Sequence, residues 1–128
     1  MTNPTMLSWI TETLPWMEVV NPVTGKTFHR KGLHQDPETG IEVFIVRYGP
    51  GVHTPEHTHN CAHGLYVLSG SLVTHDGTYN TGDFVWFEEG VIGTHGANAT
   101  EPVTVLFITN KPFDITFVEQ PETPRPTL

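Results

Sequence analysis

Four of the eight histidines of this chain, His53, His57, His59 and His63, fall within eleven consecutive residues of the stretch from Gly51 to Gly70. His57 and His59 are two apart, the spacing that puts neighbouring side chains on one face of a β-strand. At a rise of ~3.3 Å per residue their side chains stand roughly 6–7 Å apart, and both imidazoles can converge on one ion at about 2.0–2.1 Å. A cluster of imidazoles repels itself when protonated and therefore favours a bound cation. The stretch predicts a metal site built on strands.

The rest of the chain is punctuated in the same way. Short β-branched and aromatic runs at 16–20, 26–34, 41–48, 64–68, 71–75, 84–87, 103–109 and 115–118 are separated by Asn21-Pro22, Asp36-Pro37-Glu38-Thr39-Gly40, Gly49-Pro50-Gly51, Ser69-Gly70, Asp76-Gly77, Asn80-Thr81-Gly82-Asp83 and Asn110-Lys111-Pro112. A further short strand or extended segment is expected at 57–61, and His95 leads into a Gly/Ala/Asn loop. With 12 Gly, 11 Pro and only 16 % charged residues, the composition suits an all-β protein, a sandwich or small barrel. A chain of 128 residues is enough for one domain with its own core. The expected organisation is an N-terminal arm (1–25), a barrel (26–120) and a Pro-rich tail (121–128). In the arm, Leu7, Ile10 and Leu14 have helical spacing, consistent with one or two turns before Pro15 or with a segment laid across the body or a dimer partner.

Charge and cysteine content narrow the function. The net charge is −8 and no basic cluster occurs, which argues against nucleic acid and anionic membranes as partners. The single cysteine, Cys61, excludes an intrachain disulfide and a Cys-based zinc ribbon. The N-terminus lacks the basic start and apolar run of a signal peptide, and no apolar stretch approaches membrane-spanning length, so a cytoplasmic protein is expected.

The spacing Gly51, five residues, His57, one residue, His59, three residues, His63, six residues, Gly70 resembles the first motif of the cupin superfamily, G-x5-H-x-H-x3/4-E-x6-G, with His63 standing where the family usually has glutamate. The second motif, G-x5-P-x-G-x2-H-x3-N, is matched more loosely by Gly82, Glu88 in place of proline, Gly90, His95 two residues later than usual, and Asn98. The leader Leu33-His34-Gln35-Asp36-Pro37-Glu38-Thr39-Gly40 looks like the group containing the cupin domains of zinc-binding anti-sigma factors and the all-histidine iron dioxygenases that cleave β-diketones or hydroxyacetophenones. The resemblance implies a single cupin domain, a double-stranded β-helix or jelly-roll barrel, usually a homodimer, holding one divalent metal on His57, His59, His63 and His95.

Neutral imidazoles leave a divalent ion's charge uncompensated, which strengthens it as a Lewis acid toward anionic oxygen donors. Fe(II) is the favoured metal, with Zn, Mn or Ni as alternatives; nitrogen donors disfavour Ca²⁺ and Mg²⁺. Strand parity puts Leu65 and Val67 on the face of His63, and Phe44, Val46 and Tyr48 on the face that leaves Arg47 outside. With Trp86, Phe84 and Phe107 they are the expected wall of a small-molecule substrate pocket. His53 is expected at the rim, and Glu56, Glu88 and Glu89 could serve as acid or base there. The leading expectation is a dioxygenase that cleaves a C–C bond in a small enolisable carbonyl compound. The alternatives are a non-oxidative metal-dependent isomerase, lyase or hydrolase, and a non-catalytic zinc-binding or small-molecule-binding cupin.

Overall fold

The structure is a computed structural model that describes residues 3–118. Its strands are β1 (Met17–Val20), β2 (Thr27–Gln35), β3 (Glu42–Tyr48), β4 (His57–His59), β5 (His63–Ser69), β6 (Ser71–Thr74), β7 (Gly77–Asn80), β8 (Phe84–Phe87), β9 (His95–Ala97), β10 (Val103–Thr109) and β11 (Ile115–Phe117). The two runs richest in β-branched and aromatic residues, β3 and β10, pair antiparallel in the middle of a six-stranded sheet of order β1-β2-β3-β10-β5-β8. A three-stranded sheet, β7-β6-β9, and the pair β11-β4 form the facing layer. The expected jelly-roll architecture is what forms.

Alternation along each strand sorts the side chains. Val103, Val105 and Phe107 of β10 point into the core, with Phe44, Val46, Leu65 and Val67 beside them, while Ile108 faces solvent. Burying an aliphatic or aromatic side chain of this size contributes about 1.5–3 kcal/mol over leaving it exposed. Gly70 joins β5 to β6 at φ +77°, and a Cβ there would run into the carbonyl oxygen of Pro102. That is the physical reason for the glycine that closes the histidine motif.

Two features differ from what the sequence predicts. The arm holds a single 3-10 turn, Thr11–Thr13, rather than one or two helical turns, with Leu7 and Ile10 exposed; an apolar face with nothing to bury against does not hold a short helix. The arm is tied to the sheet by Lys31, whose Nζ donates to the Thr11 carbonyl at 2.8 Å and lies 4.5 Å over the Trp16 ring. The strand expected at 16–20 forms as β1 and pairs with β2 in register Met17 to Arg30. Second, His95 lies on a strand, with Thr74 opposite His95 and Leu72 opposite Ala97. Gly96 makes this possible, because a Cβ there would collide with the backbone of Val52 and His53. The tail at 121–128 lies outside the described residues. No described helix is long and apolar enough to cross a membrane.

Candidate metal centre

The strand β4 is three residues long, and its alternation turns His57 and His59 inward, 3 % and 6 % exposed, with Thr58 between them pointing away. Both edges of β4 are occupied. On one side β11 pairs Phe117 with His57 and Ile115 with His59. On the other, Gly93 exchanges backbone hydrogen bonds with His57, and the Gly90 N–H donates to the His59 carbonyl. Between these two contacts Val91 and Ile92 loop out into solvent. That excursion absorbs the two residues by which His95 is displaced from the usual motif spacing, and the chain returns in register with His95 facing inward. His63 opens β5 opposite Phe87 and is stacked between Phe87 and Phe107, at centroid distances of 5.0 and 5.8 Å.

The four rings converge. One ring nitrogen from each of His57, His59 and His95 lies within 4.8 Å of the other two. His63 sits outside that group, yet its ring centroid is 4.5 Å from that of His59. The four histidines, with Phe87, Val91 and Gly93, enclose a void of about 10 Å³, the size of a single water or ion.

The tautomers are set by backbone carbonyls. Nδ1–H of His57 donates to the Pro55 carbonyl at 2.7 Å and Nδ1–H of His59 to the Asp114 carbonyl at 2.6 Å, which leaves each Nε2 with its lone pair. Nδ1 of His95 lies 3.1 Å from the Tyr48 hydroxyl. Donation to that oxygen leaves Nε2 of His95 as the free lone pair too.

Burial pushes every one of these imidazoles toward its neutral form. It lowers His57 below the usual histidine range, brings His59 down to about 4 and His63 to about 3, and drives His95 well below its ordinary value. The positive charges the rings would place on one another add to the effect at His59, His63 and His95. Burial also raises the Tyr48 phenol above its ordinary range, so it remains protonated.

Nε2 of His59, Nε2 of His95 and both ring nitrogens of His63 are buried without a hydrogen-bond partner. Leaving such a group unsatisfied costs about 1–3 kcal/mol. Neutral imidazoles with unpartnered lone pairs around an ion-sized void fit a borderline transition metal, and His57, His59 and His95 could hold it.

Beside the histidines is a cavity of about 230 Å³. Phe44, Val46 and Tyr48 line it, as do Phe28, Phe107, Phe113 and Phe117, and His57, His59 and His95 form part of its wall. Leu65 and Val67 share the inward face but are fully buried in the core and do not reach the cavity. Trp86 lies on the other side of the sheet. Phe87 and Val85 turn inward on β8, so Phe84 and Trp86 turn out and are half exposed. Exposed positions also hold His53, Glu56, Glu88 and Glu89, and none of them lines the cavity; Glu89 forms an ion pair with Lys111.

Residues without an expected role also shape the site. Phe28 and Arg30 reach the cavity from β2, a placement that the period-two pattern of 27–35 would have shown once its inward face was known. Thr54 accepts the backbone N–H of His95 on its hydroxyl at 3.2 Å and thereby fixes β9 against the chain leading into β4. Phe113 packs 4.5 Å from the His59 ring, through a loop contact that no local pattern indicates.

Solved structures with the same fold include the polyketide cyclase RemF from Streptomyces resistomycificus, at 19 % identity over 92 % of this chain and 89 % of that one, TM-score 0.77. A candidate acetylacetone dioxygenase from Methylibium petroleiphilum is similar at 14 % identity over 98 % of this chain and 90 % of the other, TM-score 0.77. The anti-sigma factor ChrR, solved in complex with SigE of Rhodobacter sphaeroides, is similar at 18 % identity over 77 % of this chain and 50 % of that chain, TM-score 0.63. No curated protein matches by sequence. The profile of the ChrR cupin-like domain matches residues 5–114, and the chain therefore belongs to that family of cupins.

Proposed function

We propose that this cupin is a mononuclear metal-dependent dioxygenase that cleaves a C–C bond in a small, largely apolar, enolisable carbonyl compound. The observation that carries the reading is the adjacency of the aromatic cavity to the buried histidine cluster. His57, His59 and His95 are the proposed ligands, with His63 as a fourth nitrogen at the same void. A divalent ion held by these neutral imidazoles would supply Lewis-acid polarisation for a carbonyl oxygen and, as iron, redox chemistry with O₂.

The chain's own contribution is selection, orientation and exclusion of water. Phe44, Phe107 and Phe113 pack against one another and present flat apolar surface to a substrate chain. Tyr48 and the two backbone carbonyls hold the imidazoles in the tautomer that offers Nε2. Among the described residues no Asp or Glu lines the cavity. An isomerase, lyase or hydrolase that must take up a substrate proton would want such a base, whereas a 1,3-dicarbonyl compound can enter already as its enol. That absence favours the oxidative reading. Fe(II) as the metal and a homodimer as the assembly belong to the same reading and rest on the cupin resemblance.

A second reading uses the same site without O₂. The similarity to a polyketide cyclase supports it, since ring closure also runs through an enol of a polycarbonyl chain. The test is O₂ uptake by Fe(II)-loaded protein offered a panel of 1,3-diketones, beside anaerobic controls. Stoichiometric O₂ consumption with carbon-chain cleavage supports the dioxygenase. Turnover that proceeds anaerobically, with Zn or Mn in place of iron, contradicts it and favours the second reading.

A further inference from the structure

Among the described residues Arg30 is the one charged side chain that lines the cavity. It comes from β2 beside Phe28, on the face turned toward the facing layer, and is 30 % exposed. Its position is fixed from two sides. Nη2 donates to Oε1 of Glu42 at 3.2 Å, and the guanidinium lies 4.0 Å from the centroid of the Phe44 ring. Glu42 is itself anchored, since its Oε2 accepts the Phe113 N–H at 3.1 Å. The ion pair therefore holds Arg30 in place and takes one corner of its fork. A guanidinium carries five N–H donors, and no other acceptor among the described residues takes one from Arg30.

The layering of the wall puts this cation at a defined remove from the histidines. Guanidinium, Phe44, Phe107 and His95 follow one another at spacings of 4.0, 4.9 and 5.7 Å. The cavity therefore has two polar poles, the histidine cluster and Arg30, with aromatic surface between them. A wholly apolar substrate leaves the second pole unused, and the cation's remaining donors then have only water to meet.

We propose that Arg30 is a specificity-determining residue, and that the substrate carries a carboxylate, separated by a short apolar segment from the carbonyl group that faces the histidines. This rests on the enolisable-carbonyl reading above and narrows it from neutral diketones to oxo acids. The planar fork suits a carboxylate, which accepts two parallel N–H bonds. The orientation this imposes aims the carbonyl end at His57, His59 and His95.

The experiment is calorimetric binding of two probes to wild type and to Arg30→Gln, each with and without Zn(II), which removes turnover from the readout. The probes are heptane-2,4-dione, which is neutral, and 4,6-dioxoheptanoate, which has the same carbon skeleton and carbonyl pair with a carboxylate in place of the terminal methyl, beyond two methylenes. For the zinc-loaded protein we expect Arg30→Gln to weaken the dioxo acid at least tenfold and the neutral diketone less than twofold. A Glu42→Gln variant, which keeps an acceptor for the Phe113 N–H but frees the guanidinium, should bind the dioxo acid more tightly than wild type. Equal weakening of both probes by Arg30→Gln would mean a purely structural Arg30–Glu42 bracket and overturn the proposal, as would no change in either. Zinc-independent binding of the dioxo acid that Arg30→Gln abolishes would keep the anion site and remove the metal from substrate binding. Failure of wild type to bind either probe would overturn both the oxo-acid assignment and the carbonyl reading beneath it.

Discussion

The Tyr48 hydroxyl lies 3.1 Å from Nδ1 of His95, joining the end of β3 to β9 across the interior. Both residues are almost fully buried. The contact makes Tyr48 more than cavity wall, since a His95 that offers Nε2 to a metal carries its proton on Nδ1 and donates it in a hydrogen bond to the phenol oxygen. Tyr48→Phe removes the acceptor and keeps the ring. Metal affinity should fall by about 10–100-fold, the usual cost of losing such a supporting hydrogen bond. The fold should lose about 1–3 kcal/mol from the stranded N–H. Chelator competition and urea unfolding measure the two effects separately.

His63 offers the opposite trade. Its ring is nearly parallel to Phe87 and Phe107, at 10° and 5°, and both nitrogens lack partners. In the metal-free protein His63→Phe should therefore stabilise the fold, by roughly 1–3 kcal/mol, because it removes unsatisfied buried polar atoms from an aromatic stack. The same variant should bind Zn(II) or Fe(II) more weakly if His63 is a ligand. Unchanged metal affinity with raised stability would restrict the centre to three histidines.

The depressed histidines set a pH dependence for metal-free protein. The unfolded chain takes up protons near the ordinary histidine pKa of 6.5, whereas folded His59 resists until about 4 and His63 until about 3. Stability is therefore fully present above about pH 6.5 and is lost as pH falls below it, at about 1.4 kcal/mol per unit for each such histidine. Urea midpoints at pH 7, 6 and 5 with chelator present should fall steadily. Saturating Zn(II) should move the loss to lower pH, since protons must then displace the ion. A flat profile from pH 7 to 5 would mean that the cluster is open to water.

Leu65 and Trp86 separate core from surface. Leu65 is fully buried, so Leu65→Ala should cost about 2–5 kcal/mol. Metal content per folded protein should not change. Trp86 is half exposed on the outer face, and Trp86→Ala should alter ligand binding in the cavity little or not at all. A large loss of binding in the Trp86 variant would require a site on the outer face of β8.

Much of this was legible because period-two alternation is a local property. The strands at 84–87 and 103–109 follow from their β-branched and aromatic runs, and parity, with Arg47 kept outside, gives Phe44, Val46 and Tyr48 rather than Val43, Ile45 and Arg47 as the inward face of β3. Parity alone does not say which of two apolar faces is buried, which is why Trp86 and Phe84 were expected inside. Phe87 decides the question through its contact with His63, a tertiary fact. Leu65 and Val67 face inward as parity requires, but whether an inward residue meets a cavity or solid core depends on the opposite layer. The placement of His95 on a strand depends on Gly96 lying against His53, 43 residues earlier in the sequence (96 − 53). The role of Arg30 needed Glu42 and Phe44 to arrive from the next strand.

Metal analysis of untagged protein, wild type beside His57→Ala, shows whether the buried histidines hold a metal ion. Wild type should carry near-stoichiometric transition metal, as purified or after incubation with Fe(II), Mn(II), Ni(II) or Zn(II), and the variant should lose it while the fold is retained. Wild-type protein that stays metal-free after all four incubations would contradict a metal centre on these histidines.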